Sequence, residues 1–211
     1  MRRRGLKGSL GRVWYFIWED NSVWSWLVNI VLAFVLIKYI FYPGLGLLVS
    51  TSHPIVAVVS GSMEHDGSFS DWWGSGAICG IKPCMQAEYY AQLGIAEKDF
   101  QSYKFRNGFN KGDIITLYGS KPPDIAVGDV VVFTSKRPDP IIHRVVKRWE
   151  SGGTYYYQTK GDHNSKSIAD DTLDESVVSE KQVIGKAVLR LPYLGWIKIW
   201  FVEMLKLIGI L

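Results

Sequence analysis

Cysteine occurs only twice in this chain of 211 residues, and histidine only four times. Cys79 and Cys84 stand on either side of Gly80 and Pro83, and no further pair of ligands with suitable spacing lies nearby. A structural zinc site takes four ligands, so neither zinc nor any other metal is expected here. The two cysteines read as the closure of a short disulfide loop, a bond that an exported location permits, with free thiols as the other reading. Both readings are structural rather than catalytic. Positive charge is scarce over a long stretch as well. Arg2, Arg3, Arg4, Lys7 and Arg12 crowd the N-terminus, and then only Lys38 appears before Lys82. A formal net charge of +4 is mild. The basic N-terminus therefore reads as a cytoplasmic flank rather than a nucleic-acid arm, and no nucleic-acid partner is expected. No internal repeat is visible beyond a doubled Gly-Asp turn at Gly112-Asp113 and Gly128-Asp129. The length suits one domain of ordinary size plus an anchor.

Aromatic residues, by contrast, are plentiful: 14% of the chain, with nine tryptophans. Trp and Tyr concentrate at membrane interfaces, so the excess fits a chain that lies partly there. The run from Val23 to Tyr42 carries a single charge, Lys38, close enough to its far end to snorkel. Twenty helical residues span about 30 Å, one hydrocarbon core. Trp24, Trp26, Tyr39 and Tyr42 resemble interfacial belts, and Pro43-Gly44 is expected to end the helix. The run is longer than the apolar region of a cleavable signal, and the apolar tract continues through Leu48, so it reads as a retained anchor. The expected organisation is a basic cytoplasmic N-terminus (1–22), a transmembrane anchor (23–42), an exoplasmic β domain (43–195) and a C-terminal membrane-associated helix (196–211).

The segment after Pro54, Ile-Val-Ala-Val-Val, is β-branched and apolar, a buried-strand signature. Strand signals resume at Asp113–Tyr118 and Asp129–Phe133, each after a Gly-Asp turn, and continue at Ile141–Arg148, Thr154–Thr159 and Gln182–Leu191. Short strands with no convincing helix between them predict a mainly β fold. The text between about 65 and 125 differs, being rich in Gly, Ser and aromatics, with Trp72-Trp73, the cysteine pair and a short helix around Met85–Leu93. It reads as an insertion packed on the outside of the core. In the tail, Lys198, Glu203 and Lys206 fall within about 140° of one another on a helical wheel, and most other positions are apolar. An amphipathic helix lying on the bilayer is the first reading, a second membrane span the next.

Gly61 supplies a turn after the first strand, so Ser62 sits where that strand runs out, a position suited to an exposed hydroxyl. A serine attacks an amide poorly unless a neighbouring base removes its proton, and His143, in a later strand, is the candidate base. His65, three residues beyond Ser62, is an awkward rival, and His53 and His163 read as interfacial or loop residues. Five blocks occur in order: Ser-Gly-Ser-Met-Glu from Ser60, Gly-Asp-Val-Val-Val-Phe at 128–133, Ile-Ile-His-Arg-Val at 141–145, Thr-Lys-Gly-Asp-His-Asn at 159–164 and Val-Ile-Gly-Lys-Ala-Val at 183–188. With Leu-Pro-Tyr-Leu-Gly at 191–195, their order and wording resemble type I signal peptidases of the archaeal and endoplasmic-reticulum kind.

The resemblance implies a signal-peptidase-like β core and a Ser-His endopeptidase that cleaves signal peptides from exported preproteins at the outer membrane face, with no cofactor. Its implied partners are those preproteins, the lipid membrane and subunits of a secretion machinery. Ser62 would be the nucleophile and His143 the general base; bacterial relatives carry lysine at that position. Ser60 matches a position that lends a hydroxyl to the oxyanion hole. For the acid, the resemblance points to Asp171, the latter of an Asp-Asp pair, with Asp162 supporting the site. Asp170, Asp174 and Glu175 compete with Asp171, and aligning backward from Val183 favours Asp174. The other class of function is non-catalytic: a membrane-tethered β domain that binds exported chains or a secretion complex.

Overall fold

The computed structural model describes residues 4–207 and 209. The first three residues of the expected basic N-terminus, and 208, 210 and 211 of the expected C-terminal helix, lie outside the described residues. The chain divides into two units, Met1–Leu48 and Val49–Leu211.

The first unit is helical. Helix α1 covers Arg4–Trp18, and α2 (Val23–Leu36) leads through a π-helical turn, Ile37–Phe41, into α3 (Tyr42–Leu48). Ser22 caps α2 by accepting from the Ser25 amide at 3.2 Å, and the Asn29 side chain donates to the Ile17 carbonyl at 2.9 Å, tying α2 back to α1. From Val23 to Leu48 the helix is continuous for 26 residues, and it is the one helix among the described residues long and apolar enough to cross a membrane. The expected stop at Pro43-Gly44 does not occur. In the π turn the Tyr42 amide bonds the Ile37 carbonyl, five residues back. Pro43 thus follows a turn whose register is already widened, where its missing N–H is tolerated.

The second unit is built on one seven-stranded antiparallel sheet. Its strands are β1 (Ile55–Ala57), β4 (Ile114–Tyr118), β5 (Val130–Phe133), β6 (Ile141–Ser151), β7 (Thr154–Lys160), β8 (Val178–Ser179) and β9 (Val183–Leu191), in the order β1-β4-β9-β5-β6-β7-β8. A separate hairpin of β2 (Gly76–Cys79) and β3 (Lys82–Met85) lies in the insertion. Successive strand residues face opposite sides of a sheet. Val130 and Val132 accordingly join Val58, Met63, Phe109, Ile115 and Leu117 in one core. Val131 and Phe133 join Val145, Tyr157, Leu173 and Val178 in another. Burial on both faces explains why β5 reads as an unbroken apolar run.

The insertion is shorter than expected, since β4 belongs to the main sheet. Its helices α4 (Phe69–Trp73), α5 (Gln86–Gln92) and α6 (Glu97–Ser102) gather Trp72, Tyr90, Ile95 and Phe100 around Val146 of β6. Cys79 and Cys84 are joined in a disulfide across the β2–β3 hairpin. Helix α7 (Trp196–Leu207) ends the fold, with Trp196 packed on Gly112. It leaves Ile197, Trp200, Phe201, Met204 and Leu207 exposed, a stripe at helical spacing.

Arg144 follows His143 on β6 and so faces the opposite side, fully buried. It meets buried Asp162 at 2.9 and 2.6 Å through two guanidinium nitrogens, and its remaining donors reach the carbonyls of Lys104, Phe105 and Gly128. Burial alone would raise the Asp162 carboxyl. The Arg144 charge and the hydrogen bonds from His65 and Arg144 override it and hold that carboxyl well below the usual carboxylate range. Removing one partner of such a pair leaves a buried charge uncompensated. Asp162→Asn is therefore expected to cost about 3–5 kcal/mol, a fall in Tm on the order of 10 °C in thermal unfolding followed by circular dichroism. Because the folded-state value is depressed, this stabilisation is complete above the unfolded value near pH 4 and drains away as pH falls below it. The Asn variant should lose less stability than the wild type over that acid range.

Candidate active site

Ser62 is fixed by the backbone on both sides of it. At the end of β1 the Val58 carbonyl accepts from the Gly112 amide at 2.9 Å, and the chain then turns at Ser60-Gly61. The Ser62 carbonyl accepts from the His163 amide at 2.9 Å, and Met63 is wholly buried beneath. The half-buried Ser62 hydroxyl is thereby held 3.2 Å from the exposed Ser60 hydroxyl.

His143 comes from β6, paired with Val131 of β5, and only 4% of it is exposed. Its Nε2 lies 2.9 Å from the Ser62 Oγ, and its Nδ1 lies 2.5 Å from Oε1 of Glu175. Glu175 is fully buried; Thr159 Oγ1 donates to the same oxygen at 3.0 Å, and the Ile168 amide donates to Oε2 at 2.8 Å. With both carboxylate oxygens occupied as acceptors, Nδ1–H is the donor in the His143–Glu175 contact. Nε2 is left as the acceptor for the Ser62 proton. Hydroxyl, imidazole and carboxylate thus form one hydrogen-bonded line, the arrangement that activates a serine for attack on an acyl group.

The acid beside His143 is Glu175, not Asp171. Residues 168–175 fold into a tight hairpin: the Glu175 amide bonds the Ile168 carbonyl, Ala169 bridges Asp174, and the Asp170 amide bonds the Leu173 carbonyl. Asp170, Asp171 and Asp174 are exposed at its tip. Asp170 accepts from Thr172 and Arg137, and Asp174 accepts from Ser176, so both do local turn work. Leu173 and Glu175 point inward on either side of Asp174, a two-residue alternation present in the sequence but easily hidden by so many neighbouring carboxylates.

Asp162 does not meet His143 either. Besides Arg144 it faces His65, whose Nε2 lies 3.0 Å from Oδ2 and whose ring stacks on Trp72 with centroids 3.8 Å apart. That partnership removes His65 as a base for Ser62. His163 stands near Asp66 on the surface, and His53 contacts Ser52. Lys160, from the Thr-Lys-Gly-Asp-His-Asn block, is fully buried and donates to the carbonyls of Gly161 at 3.0 Å and Asp162 at 3.2 Å. Desolvation, opposed by Asp162 and Glu175, pushes its ammonium down to about 7.

Gly161 lies against the reacting pair. A Cβ there would come within 2.7 Å of the Ser62 carbonyl and 2.8 Å of His143 Nε2. Neither atom can retreat without moving the nucleophile or the base. Misplacement by about 1 Å typically costs on the order of 10²-fold in rate, and that loss in kcat is expected for Gly161→Ala, measured with folded protein and saturating substrate.

No protein-family model matches the chain. Among curated proteins it resembles the signal peptidase complex catalytic subunit SEC11 of Leptosphaeria maculans, 29% identical over 198 residues, covering 86% of this chain and 88% of the relative. The corresponding subunit of Schizosaccharomyces pombe is 30% identical over 170 residues, 78% of this chain and 76% of the relative. That of Fusarium vanettenii is 27% identical over 171 residues, 78% and 73%. A Ser-His-carboxylate line on an antiparallel β core, with alignments running over most of both chains, places this chain in the type I signal peptidase family of the endoplasmic-reticulum type.

Proposed function

We propose that this chain is a membrane-bound serine endopeptidase that cuts signal peptides from exported preproteins on the outer face of the membrane. The observation that carries the reading is the hydrogen-bonded line Ser62–His143–Glu175, with the Ser60 hydroxyl beside it. His143 Nε2 takes the Ser62 proton as Oγ adds to the scissile carbonyl carbon. The oxyanion that forms accepts from the Ser60 hydroxyl, a donor of a kind whose loss typically costs about 10²–10³ in rate. Nε2 then hands its proton to the departing amine as the C–N bond breaks. Water, deprotonated in turn by His143, hydrolyses the acyl ester and restores Ser62. Glu175 holds the imidazole in the required tautomer and stabilises its charged form.

In this reading the basic N-terminus is cytoplasmic, the Val23–Leu48 helix is the anchor, and the exposed stripe of α7 rests on lipid. Tethering enzyme and substrate to one membrane raises their effective concentration, so modest specificity per substrate suffices. The relatives are named as subunits of a signal peptidase complex, and a comparable assembly is proposed for this chain.

The test is reconstitution of the purified chain in liposomes with a preprotein. The expected result is a mature product with one defined new N-terminus, and labelling of Ser62 by a serine-reactive phosphonate. An intact preprotein together with an unlabelled Ser62 would instead support a tethered binding domain.

A further inference from the structure

The insertion does more than cover the sheet. Between β7 and the Glu175 hairpin runs a loop, residues 161–168, that has two sides. One side touches the reacting groups: Gly161 lies against His143 Nε2, the His163 amide donates to the Ser62 carbonyl, and the Ile168 amide donates to Glu175. The other side is gripped by the insertion. Trp72 Nε1 donates to the Asp162 carbonyl at 3.0 Å, Gln86 Nε2 to the Asn164 carbonyl at 3.1 Å, and the Ile78 amide to the Ser165 carbonyl at 2.9 Å. The Tyr89 hydroxyl accepts from the Ser167 amide at 3.3 Å. Three carbonyls and an amide of one loop thus find partners on α4, β2 and α5.

Those partners are rigid. Trp72 and Gln86 are 2% and 1% exposed; the first packs in the aromatic cluster with Tyr90 and Phe100, and the second also donates to the Gly76 carbonyl. The Cys79–Cys84 bond closes the hairpin that supplies Ile78. A loop without its own ladder of backbone bonds takes its position from whatever satisfies its polar groups. On its outer side the insertion supplies those partners, while Lys160 Nζ shares the Asp162 carbonyl and the Asn164 amide closes a turn on Gly161.

We propose that the insertion is a positioning element for catalysis, with Trp72 and Gln86 as positioning residues that hold the 161–168 loop against Ser62, His143 and Glu175. The proposal rests on the peptidase reading for its kinetic test and on geometry alone for its structural one. Trp72→Phe removes the N–H and keeps a ring; Gln86→Met keeps the volume and removes the amide. Each is expected to lower kcat about 5-fold, and the pair together at least tenfold, with KM within about twofold, because displacement of reacting groups acts on the chemical step. Reducing Cys79–Cys84 in the wild type with dithiothreitol should lower kcat in the same way. A role confined to stability would lower Tm and the folded fraction while kcat per folded molecule stayed constant, and that result overturns the proposal. Hydrogen exchange supplies a readout free of turnover: amides of 161–168 should exchange faster in both variants than in the wild type. Unchanged exchange sinks the inference. A wild type that cuts nothing sinks the peptidase reading instead, while exchange still decides this one.

Discussion

Alanine at Ser62 and alanine at His143 are each expected to lower kcat for preprotein cleavage by about 10⁶, with no further loss when the two are combined. Members of a Ser-His-carboxylate line act as a unit, so removing either one leaves only the background supplied by substrate binding and the oxyanion donor. The non-additivity is the informative part: two groups acting independently would multiply their losses. The variants should differ in stability. Ser62 is half-buried and, among the described residues, its hydroxyl hydrogen-bonds Ser60 and His143 alone, so truncation leaves the fold intact. His143→Ala removes a partner from buried Glu175, whose carboxylate keeps its hydrogen bonds from Thr159 and Ile168 and the attraction of the buried Lys160 ammonium. That variant should melt below Ser62→Ala, and circular dichroism will show whether it is folded when assayed. Cleavage by Ser62→Ala at even 1% of the wild-type rate would remove the serine mechanism.

The sequence conveyed this site unevenly, and the physical reasons differ from residue to residue. Ser62 and His143 stood out because each sits in a local pattern, a strand ending in Ser-Gly-Ser and a β-branched strand interrupted by one imidazole. The sheet was legible where the text is simple: Val-Val-Val-Phe after a Gly-Asp turn reads as a strand, and β5 is one, buried on both sides. Helix α1 is hard to read from sequence because basic residues at an N-terminus suggest a flank rather than a fold. The stop at Pro43 failed because a single π turn, invisible in composition, lets a helix run past proline. Least legible was the insertion, whose contacts with the 161–168 loop pair residues 78 to 90 positions apart. No periodicity reports such meetings. The choice of acid failed for a related reason. Five carboxylates lie between Gly161 and Ser176, and only the hairpin that brings residue 175 back to residue 168 decides which one faces His143.

That choice leads to the second large effect. Glu175→Gln is expected to lower kcat by about 10³–10⁴, whereas Asp171→Ala and Asp174→Ala should stay within about twofold of wild type. The argument turns on where an amide can place its hydrogens. Both oxygens of Glu175 accept: Oε1 from Thr159 and the imidazole, Oε2 from the Ile168 amide. If the Gln NH₂ takes the Oε2 position, it meets the Ile168 N–H donor to donor in a buried place. If it takes the Oε1 position, it donates to His143 Nδ1 and forces the proton onto Nε2, which can then no longer accept from Ser62. Either orientation is unfavourable, and the second abolishes the base. Glu175→Asp keeps the charge but shortens the side chain by one methylene, so the hydrogen bond at 2.5 Å is stretched; an intermediate loss near 10² follows from the displaced imidazole. Steady-state rates for the five single variants, Asp162→Asn included, rank the candidates directly. Glu175→Gln near wild type, beside an inactive Asp171→Ala, would mean that the hairpin tip and not its base supplies the acid.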